Sequence, residues 1–356
     1  MRCLVVLSLM SLAAMPAFGQ TYFYVGPDGG DFYDEANWND AADGTGSPLA
    51  DDPLVNSATN AIALDLVIDG ASVEAAGQVD FGDGSLSLLG GATFLVSGAD
   101  NALDMNSSST FSLVDSTLTV DDDIFFEGTA SFSGGMVTSL NDDIEFQDNL
   151  TSLTIDGTAF DAPVDNLIFD ISNDLVSSIS NATFATVDRL AIRNISADPT
   201  ASIAMTNTAI DVNGGGGDVD DVFDTNNGNG AILILDGTST LLANQVDDGI
   251  SLVLGGSAVA TLNTGAGAVD AANGGTITLT SRDAMLDIVN ASSNDVRAAI
   301  FNAKTGLSYA DDSSTWNVTD WDGAVPVKLQ IVPEPSSWLL ALLCVGGASL
   351  AVRRQA

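Results

Sequence analysis

The feature that most constrains the fold of this chain is a short acidic and apolar unit that recurs at a nearly constant spacing. Asp122-Asp123-Ile124-Phe125-Phe126 has a close copy in Asp142-Asp143-Ile144-Glu145-Phe146. A second pair of units begins at Val164 and at Val187. Weaker copies begin at Val79, Asp220 and Asp247. A period of roughly 20–23 residues predicts that each unit belongs to one coil of a stacked structure.

The segments between these units predict short strands. Apolar and small polar residues alternate in Leu86-Ser87-Leu88, Leu118-Thr119-Val120 and Ile277-Thr278-Leu279, and clusters of Gly, Asn, Asp and Ser separate such segments. Alternation with a period of two predicts strands with one buried face. We therefore predict an all-β chain whose body, residues 61–331, is a right-handed parallel β-helix, or β-solenoid. A β-sandwich of hairpins is the alternative, because its strands also recur every ~8–12 residues.

Residues 1–19 have the three parts of a secretory signal. Met1-Arg2 gives a positive start, residues 3–14 form an apolar run, and Ala17 and Gly19 place small residues at the two positions that a signal peptidase reads. The run is too short to span a membrane comfortably. We therefore predict a signal peptide at residues 1–19 that signal peptidase removes after Gly19.

The last segment, residues 332–356, combines three features in a fixed order. Val332-Pro333-Glu334-Pro335 comes first, an uncharged apolar run at 338–352 follows, and Arg353-Arg354 comes directly after it. Proline favours an extended shape in the residue before it and removes a backbone donor. The run predicts a marginal transmembrane helix of roughly 22 Å. The arginine pair predicts that the carboxyl terminus lies in the cytoplasm.

This arrangement resembles the PEP-CTERM sorting signal of Gram-negative bacteria. The resemblance rests on the apolar run, on the motif residues and on the topology residues, which are Val332, Pro333, Glu334, Pro335, Arg353 and Arg354. It implies that an exosortase, a membrane-embedded cysteine protease, recognises the motif and processes the protein for export, often alongside exopolysaccharide production. An ordinary carboxyl-terminal anchor that follows two prolines is the alternative.

Residues 20–60 predict a cap at the amino-terminal end of the solenoid. An Asn37-Trp38 pair, a loop rich in Gly and Pro, and Asp51-Asp52 lead into the alternating strands. This order resembles the opening of secreted bacterial β-solenoids with autotransporter-type repeats. We expect Trp38 to cover the open end of the core, with carbohydrate stacking as the alternative role.

The exported part of the chain, residues 20–332, is strongly acidic. It holds six basic and 47 acidic residues, which gives a net charge of −41. Nucleic acid is excluded as a partner, because neutralising phosphates needs clustered Lys and Arg. Such a surface attracts divalent cations and repels other acidic polymers.

Common catalytic machinery is absent from this sequence. The chain has no histidine, and its two cysteines, Cys3 and Cys344, lie inside the terminal apolar segments. Nucleophilic catalysis through histidine and histidine metal sites are therefore excluded. Two carboxylates could hydrolyse a glycoside, but no pair stands out. Arg189 and Arg193 are expected to form ion pairs with nearby Asp residues. We therefore predict that the protein is not an enzyme.

Calcium is the one cofactor that the sequence suggests, and the pattern for it is incomplete. Residues 215–222 nearly fit the nonapeptide of calcium-binding rolls without repeating it, and residues 224–228 resemble the start of an EF-hand loop without its final Glu. The candidate ligands are Asp218, Asp220, Asp224 and Asn226. Oxygen donors suit calcium, but Asp and Asn also serve ordinary turns, so both interpretations stay open.

These patterns together predict an exported, exosortase-sorted β-solenoid with a structural or adhesive role. It would be held transiently in the inner membrane and then reach the cell surface or an extracellular matrix. A polysaccharide-binding or polysaccharide-degrading β-helix is the alternative. An enzyme should show acids and arginines clustered along one face, whereas a spacer or adhesin should show evenly spread charge.

Overall fold

The described part of the chain is built almost entirely of short β-strands. A computed structural model describes residues 20–50, 54, 61–98, 102–172, 175–195, 201–212, 214, 217–220, 231–246, 250–263, 276–281, 283–288, 307–309, 314–316 and 327–333. These residues contain 31 strands and a short 3-10 helix, Glu35–Asn37, which Asp34 caps by accepting a hydrogen bond from the Ala36 N–H.

The strands are, in chain order, β1 (Thr21–Tyr24), β2 (Gly30–Asp31), β3 (Trp38–Asn39), β4 (Asp65–Asp69), β5 (Ser72–Ala76), β6 (Val79–Phe81), β7 (Ser85–Leu89), β8 (Thr93–Ser97), β9 (Leu103–Met105), β10 (Thr110–Val114), β11 (Thr117–Val120), β12 (Ile124–Ser133), β13 (Met136–Ser139), β14 (Ile144–Asp156), β15 (Ala159–Ala162), β16 (Leu167–Ile171), β17 (Val176–Ser180), β18 (Thr183–Thr186), β19 (Arg189–Asn194), β20 (Ser202–Thr206), β21 (Ala209–Val212), β22 (Asp218–Asp220), β23 (Ile232–Asp236), β24 (Thr240–Ala243), β25 (Ser251–Leu254), β26 (Val259–Leu262), β27 (Thr276–Leu279), β28 (Met285–Ile288), β29 (Leu307–Tyr309), β30 (Ser314–Trp316) and β31 (Val327–Pro333).

The strands stack in three parallel rows, and each complete coil visits the rows in the same order. Row 1 contains β6, β9, the start of β12, the start of β14, β16, β19 and β22. Row 2 contains β1, β4, β7, β10, the end of β12, the end of β14, β17, β20, β23, β25, β27 and β29. Row 3 contains β2, β5, β8, β11, β13, β15, β18, β21, β24, β26 and β28.

This parallel stacking confirms the predicted β-solenoid and rules out the β-sandwich. Antiparallel pairing between described strands occurs only at the two ends of the stack, in the pairs β1–β3, β28–β31 and β30–β31. The handedness of the coil stays a prediction.

The predicted repeat matches the observed register in the middle of the chain. Ile124 pairs with Ile144 and Leu167 with Leu190, which are the spacings of the two repeat pairs in the sequence. From β4 onward the coil length varies widely. Thr110 and its register partner Thr129 in β10–β12 lie close together in the sequence. Ala209 and its register partner Thr240 in β21–β24 lie much further apart. The period of the sequence repeat is therefore an average over coils whose corners differ in length.

Two of the weaker repeat copies do not mark the register correctly. The row 1 partner of Leu190 is Val219, which comes before the copy that begins at Asp220. The next row 1 position is Val246, which bridges to Val219, so the copy that begins at Asp247 is also displaced. Both of these coils are longer than the coils that define the repeat. A fixed period therefore misses their register.

The core is a continuous apolar column inside the coils. Burial alternates along the strands, and in β12 buried and partly exposed residues alternate up to the exposed last one. Phenylalanines fill the middle of the column. Phe146 and Phe169 lie in neighbouring coils with ring centroids 4.6 Å apart and planes 10° apart. The nearly fully buried rings in this column include Phe81, Phe94, Phe111, Phe126, Phe132, Phe146, Phe160, Phe169 and Phe184.

The corner between row 2 and row 3 uses left-handed backbone in successive coils. Asn181, for example, has a φ of 54°, and its N–H donates to the Thr206 carbonyl of the next coil at 3.0 Å. Gly, Asn and Asp tolerate this conformation best. The left-handed residues at this corner include Gly70, Gly90, Asp115, Gly134, Gly157, Asn181, Asn207, Gly237 and Gly256.

Trp38 covers the amino-terminal end of the column, as expected. Its side chain is fully buried, and its indole N–H donates to the Phe32 carbonyl at 2.8 Å. Its ring meets Tyr24 and Phe32 edge-on, with centroids 5.5 and 5.4 Å away. Because β1 and β2 pair with β4 and β5, the stacking already begins inside the segment 20–60.

Replacing Phe126 by Ala should lower the free energy of unfolding by about 3–5 kcal/mol, because it empties a site packed against Phe111, Phe132 and Phe146. The matched control is Phe125→Ala, one residue earlier on the outer face of the same strand. It should cost about 1 kcal/mol. Urea unfolding of the two variants measures the difference, and equal losses would contradict the assigned inward face.

Candidate functional site

The sorting motif begins inside the last described strand. β31 ends with Val332 and Pro333. Residues 327–330 pair antiparallel with β28, and residues 331–333 pair antiparallel with β30. The backbone at Val332 and Pro333 is therefore extended, as the prolines predicted. Since proline has no N–H, Pro333 cannot donate to this ladder.

The other predicted sorting residues lie outside the described residues. These are Glu334, Pro335, Arg353 and Arg354, together with the apolar run at 338–352, and Ala17 and Gly19 of the signal peptide. Their roles stay predictions. Among the residues that the structure describes, no helix is long and apolar enough to cross a membrane.

A second candidate site is a group of carboxylates where row 3 passes into row 1. We call it the acidic corner, and it consists of Asp122, Asp123, Asp142, Asp143 and Asp165. Carboxylate oxygens of Asp122, Asp123 and Asp142 lie within 4.8 Å of one another, and so do those of Asp142, Asp143 and Asp165. The repeat places them together, because each member comes just before β12, β14 or β16.

Asn166 links two carboxylates of the acidic corner. Its side-chain Nδ2 donates to Asp143 Oδ1 at 2.9 Å and also to Asp165 Oδ1, and its backbone N–H donates to Asp143 Oδ1 at 2.8 Å. Its own Oδ1 is buried without a hydrogen-bond partner. An amide satisfies carboxylate oxygens without adding positive charge, so these hydrogen bonds leave the repulsion between the acids in place.

Burial and mutual repulsion raise the pKa of acids in this corner. Burial, followed by the nearby charge of Asp142, raises the pKa of Asp123 to about 7. Burial also raises the pKa of Asp143, against its hydrogen bonds from Asn166. Burial raises the pKa of Asp165 as well, and there the charges of Asp143 and Asp142 add to the effect. These aspartates of the acidic corner therefore stay protonated up to a higher pH than an ordinary aspartate does.

The same effect extends along row 1. Asp80 and Asp104 are direct register partners on β6 and β9. Burial, together with the charges of Asp80 and Glu127, raises the pKa of Asp104 to about 6. Asp80 accepts a hydrogen bond from the Asn106 amide at 2.6 Å. Stacked coils thus bring like charges into contact as readily as they bring apolar rings into contact.

Arg193 brings positive charge into row 1. Its guanidinium makes a two-pronged contact with Asp170, with Nη2 at 2.8 Å from Oδ2, and lies 3.6 Å from Glu145 Oε2. Burial raises the pKa of Asp170, and Arg193 opposes that effect. Arg189 pairs with Asp188 at 3.3 Å. Both contacts confirm the expected ion pairing of the two arginines.

Two of the four predicted calcium ligands, Asp218 and Asp220, lie within the described residues. Both carboxylate oxygens of Asp218 accept hydrogen bonds from the next coil, from Asn244 Nδ2 at 2.9 Å and from Gln245 Nε2 at 3.1 Å. Asp220 ends β22, whereas Asp224 and Asn226 lie outside the described residues. Calcium binding stays a prediction.

Sequence reasoning missed the acidic corner, although the signal for it was present. In the sequence analysis, Asp122-Asp123 and Asp142-Asp143 were interpreted only as parts of the repeat unit. Their one-coil spacing is itself the signal, because residues one coil apart lie side by side in a parallel stack. Asp165 belongs to the next repeat unit and completes the group.

Stability should fall as the pH rises from about 5 to 8. The unfolded chain loses the Asp123 proton near pH ~3.9, whereas the folded chain keeps it until about 7. The stability that protonated Asp123 contributes at low pH is therefore lost as the pH rises through the pKa of Asp123 in the folded chain. Asp123→Asn should raise the melting temperature at pH 8 and weaken this pH dependence, by about 1 kcal/mol because the site is partly exposed.

The matched control for that experiment is Asp83→Asn, which removes the same charge from an exposed bend. Thermal melts at pH 5 and pH 8 should separate the two variants. If the melting temperatures of Asp123→Asn, the control and the wild type change equally between pH 5 and pH 8, the raised pKa assigned to Asp123 is contradicted.

Comparison with known proteins locates the recognisable part of this chain at its end. The family model described as the PEP-CTERM protein-sorting motif matches residues 332–355. Neither the comparison with curated proteins nor the comparison with solved structures found a match. The match confirms the resemblance of the last segment and implies an exported protein that an exosortase processes. The chain thus carries a PEP-CTERM protein-sorting motif at the end of a parallel β-solenoid.

Proposed function

We propose that this protein is a structural or adhesive β-solenoid that acts at the cell surface or in the extracellular matrix of a Gram-negative bacterium. The observation that carries the proposal is the joining of the sorting motif at 332–355 to a long stack of parallel coils. The motif supplies the route out of the cell, and the stack supplies an extended surface. An amino-terminal signal peptide at residues 1–19 would start that route.

One face of the stack supports an adhesive role. The central outward positions of row 2 carry small hydroxyl side chains in successive coils, and they are register partners of one another. These residues are Ser87, Ser112, Ser131, Thr154 and Ser178. Strands in a sheet lie ~4.8 Å apart, so the hydroxyls form a regular uncharged line. An exopolysaccharide is a partner that such a line could contact through hydrogen bonds.

A polysaccharide-degrading β-helix is the second candidate. In its favour, acids gather along row 1 and at the acidic corner of the described chain. Against it, the guanidinium of Arg193 is already held by Asp170 and Glu145. We therefore propose that the protein is not an enzyme. Turnover of a plant or bacterial polysaccharide by the purified protein would favour the second candidate.

Replacing Pro333, Glu334 and Pro335 by Ala should leave a full-length precursor in the inner membrane of the native host. The expected cause is that an exosortase no longer recognises the motif. Because Pro333 belongs to β31, the double change Glu334→Ala with Pro335→Ala should be tested beside it, since it leaves every residue of the strand unchanged. Fractionation and immunoblotting of the membrane measure the precursor.

Pro326→Ala is the control, because it removes a nearby proline that is not part of the motif. It should be processed like the wild type. If the motif variants are also exported and processed like the wild type, the segment is only an anchor and the sorting proposal fails.

A further inference from the structure

Asn166, which links two carboxylates of the acidic corner, has an incomplete set of hydrogen bonds. The residue is buried, with 6% of its surface exposed. Its Oδ1 is one of the buried side-chain oxygens in the described part of the chain that have no hydrogen-bond partner. Leaving such an atom unpaired costs free energy. Because an amide oxygen can only accept, the partner that would satisfy it is a hydrogen-bond donor or a cation.

The amide of Asn166 is directed at the acids. Its Nδ2 lies 2.9 Å from Asp143 Oδ1 and also contacts Asp165 Oδ1. The backbone holds it there, because the Asn166 N–H donates to Asp143 Oδ1 at 2.8 Å and its carbonyl accepts from the Ile144 N–H at 3.1 Å. The side chain therefore ends among the carboxylates and is held there from two sides.

Three of these carboxylates are spaced as the ligands of one large cation are. Oxygens of Asp142, Asp143 and Asp165 lie within 4.8 Å of one another, and all three residues are partly exposed to solvent. Such a triangle leaves a point within about 2.8 Å of every oxygen, so a small inward movement gives the ~2.3–2.6 Å of calcium–oxygen bonds. Magnesium needs ~2.0–2.1 Å and a strict octahedron, which would demand a larger movement.

We propose that the acidic corner contains a calcium site that bridges two neighbouring coils. We call it the bridging site, and it consists of Asp142, Asp143, Asp165 and Asn166. A half turn of the Asn166 amide about its Cβ–Cγ bond exchanges Nδ2 and Oδ1. The unpartnered oxygen then takes the position 2.9 Å from Asp143 Oδ1, and oxygens that share one calcium ion lie roughly 3 Å apart.

A cation at the bridging site would tie successive coils together. Asp142 and Asp143 come directly before β14, whereas Asp165 and Asn166 come directly before β16. These two strands are neighbours in row 1. Three carboxylates that repel one another would then share one doubly charged ion. A ligand that binds only the folded chain stabilises it, so calcium should stabilise the stack by more than general screening by salt does.

Isothermal titration calorimetry with calcium chloride tests the site in the full-length protein, purified in detergent and freed of metal with EDTA. A constant ionic strength of about 0.15 M weakens the general attraction of cations to the acidic surface. We expect saturable binding with a Kd of about 10⁻⁴–10⁻³ M, the range of extracellular calcium modules. Magnesium chloride should bind at least ~10-fold more weakly. Absence of saturable calcium binding would overturn the proposal.

Asp165→Asn removes one carboxylate of the bridging site and should raise the Kd for calcium about 10-fold or more, because ligand charge sets the affinity. The matched control is Asp83→Asn, which removes the same charge from an exposed bend. It should change the Kd by less than about twofold. Equal dissociation constants for the two variants would mean that calcium binds only to the general surface charge, which would overturn the proposal.

Asn166→Ala tests the neutral ligand, since it changes no charge and keeps the backbone N–H that donates to Asp143. It should raise the Kd for calcium several-fold, and thermal melting in EDTA should confirm that the variant is folded. An unchanged Kd in the folded variant would overturn the assignment of the Asn166 oxygen as a ligand. If Asn166→Ala does not fold, the comparison of Asp165→Asn with Asp83→Asn decides whether the site exists.

Discussion

The fold depends on burial that each coil can obtain only from its neighbours. A single coil encloses too few side chains to hide its own apolar face, so its interior rings must contact the rings above and below. Phe126, Phe146 and Phe169 occupy the same row 1 position in successive coils, and their stacked rings show that requirement directly. Because the exported part contains no cysteine, no disulfide assists this stack. Hydrogen bonds between coils and caps at the two ends complete it.

The same register that stacks apolar rings also stacks acids. Asp80 lies beside Asp104, and the aspartates before β12, β14 and β16 meet at the acidic corner. Three kinds of interaction offset this repulsion between the acids. Some acids retain protons to a higher pH, because burial and nearby charge raise their pKa, as for Asp123, whose pKa is raised to about 7. Others accept hydrogen bonds from amides such as Asn166 and Asn106. Asp170 and Glu145 share Arg193. A strongly acidic surface is thus compatible with a stack, provided that these local solutions recur along it.

Sequence reasoning predicted the parallel stack because two repeat pairs had coils of ordinary length, as Ile124–Ile144 and Leu167–Leu190 show. It failed near Val219 and Val246, where longer corners shift the register. The left-handed corner was not anticipated, since Gly, Asn and Asp all serve it and no one residue type occupies it in every coil. The linear motif at 332–355 was recognisable from its residue order alone. Its overlap with β31 could not be predicted, because Val332 and Pro333 belong to this strand through their pairing with β30, which the residue order does not reveal.

Cysteine cross-linking tests the parallel register most directly, because the exported part contains no cysteine of its own. Ser112 and Ser131 are register partners on neighbouring coils, and both are partly exposed. Ser112→Cys with Ser131→Cys should form an intramolecular disulfide under mild oxidation, since adjacent strands lie ~4.8 Å apart. Ser112→Cys with Thr154→Cys places the thiols two coils apart, at roughly 9.6 Å, and should stay reduced. A disulfide in the second protein, or none in the first while it remains folded, would contradict the solenoid.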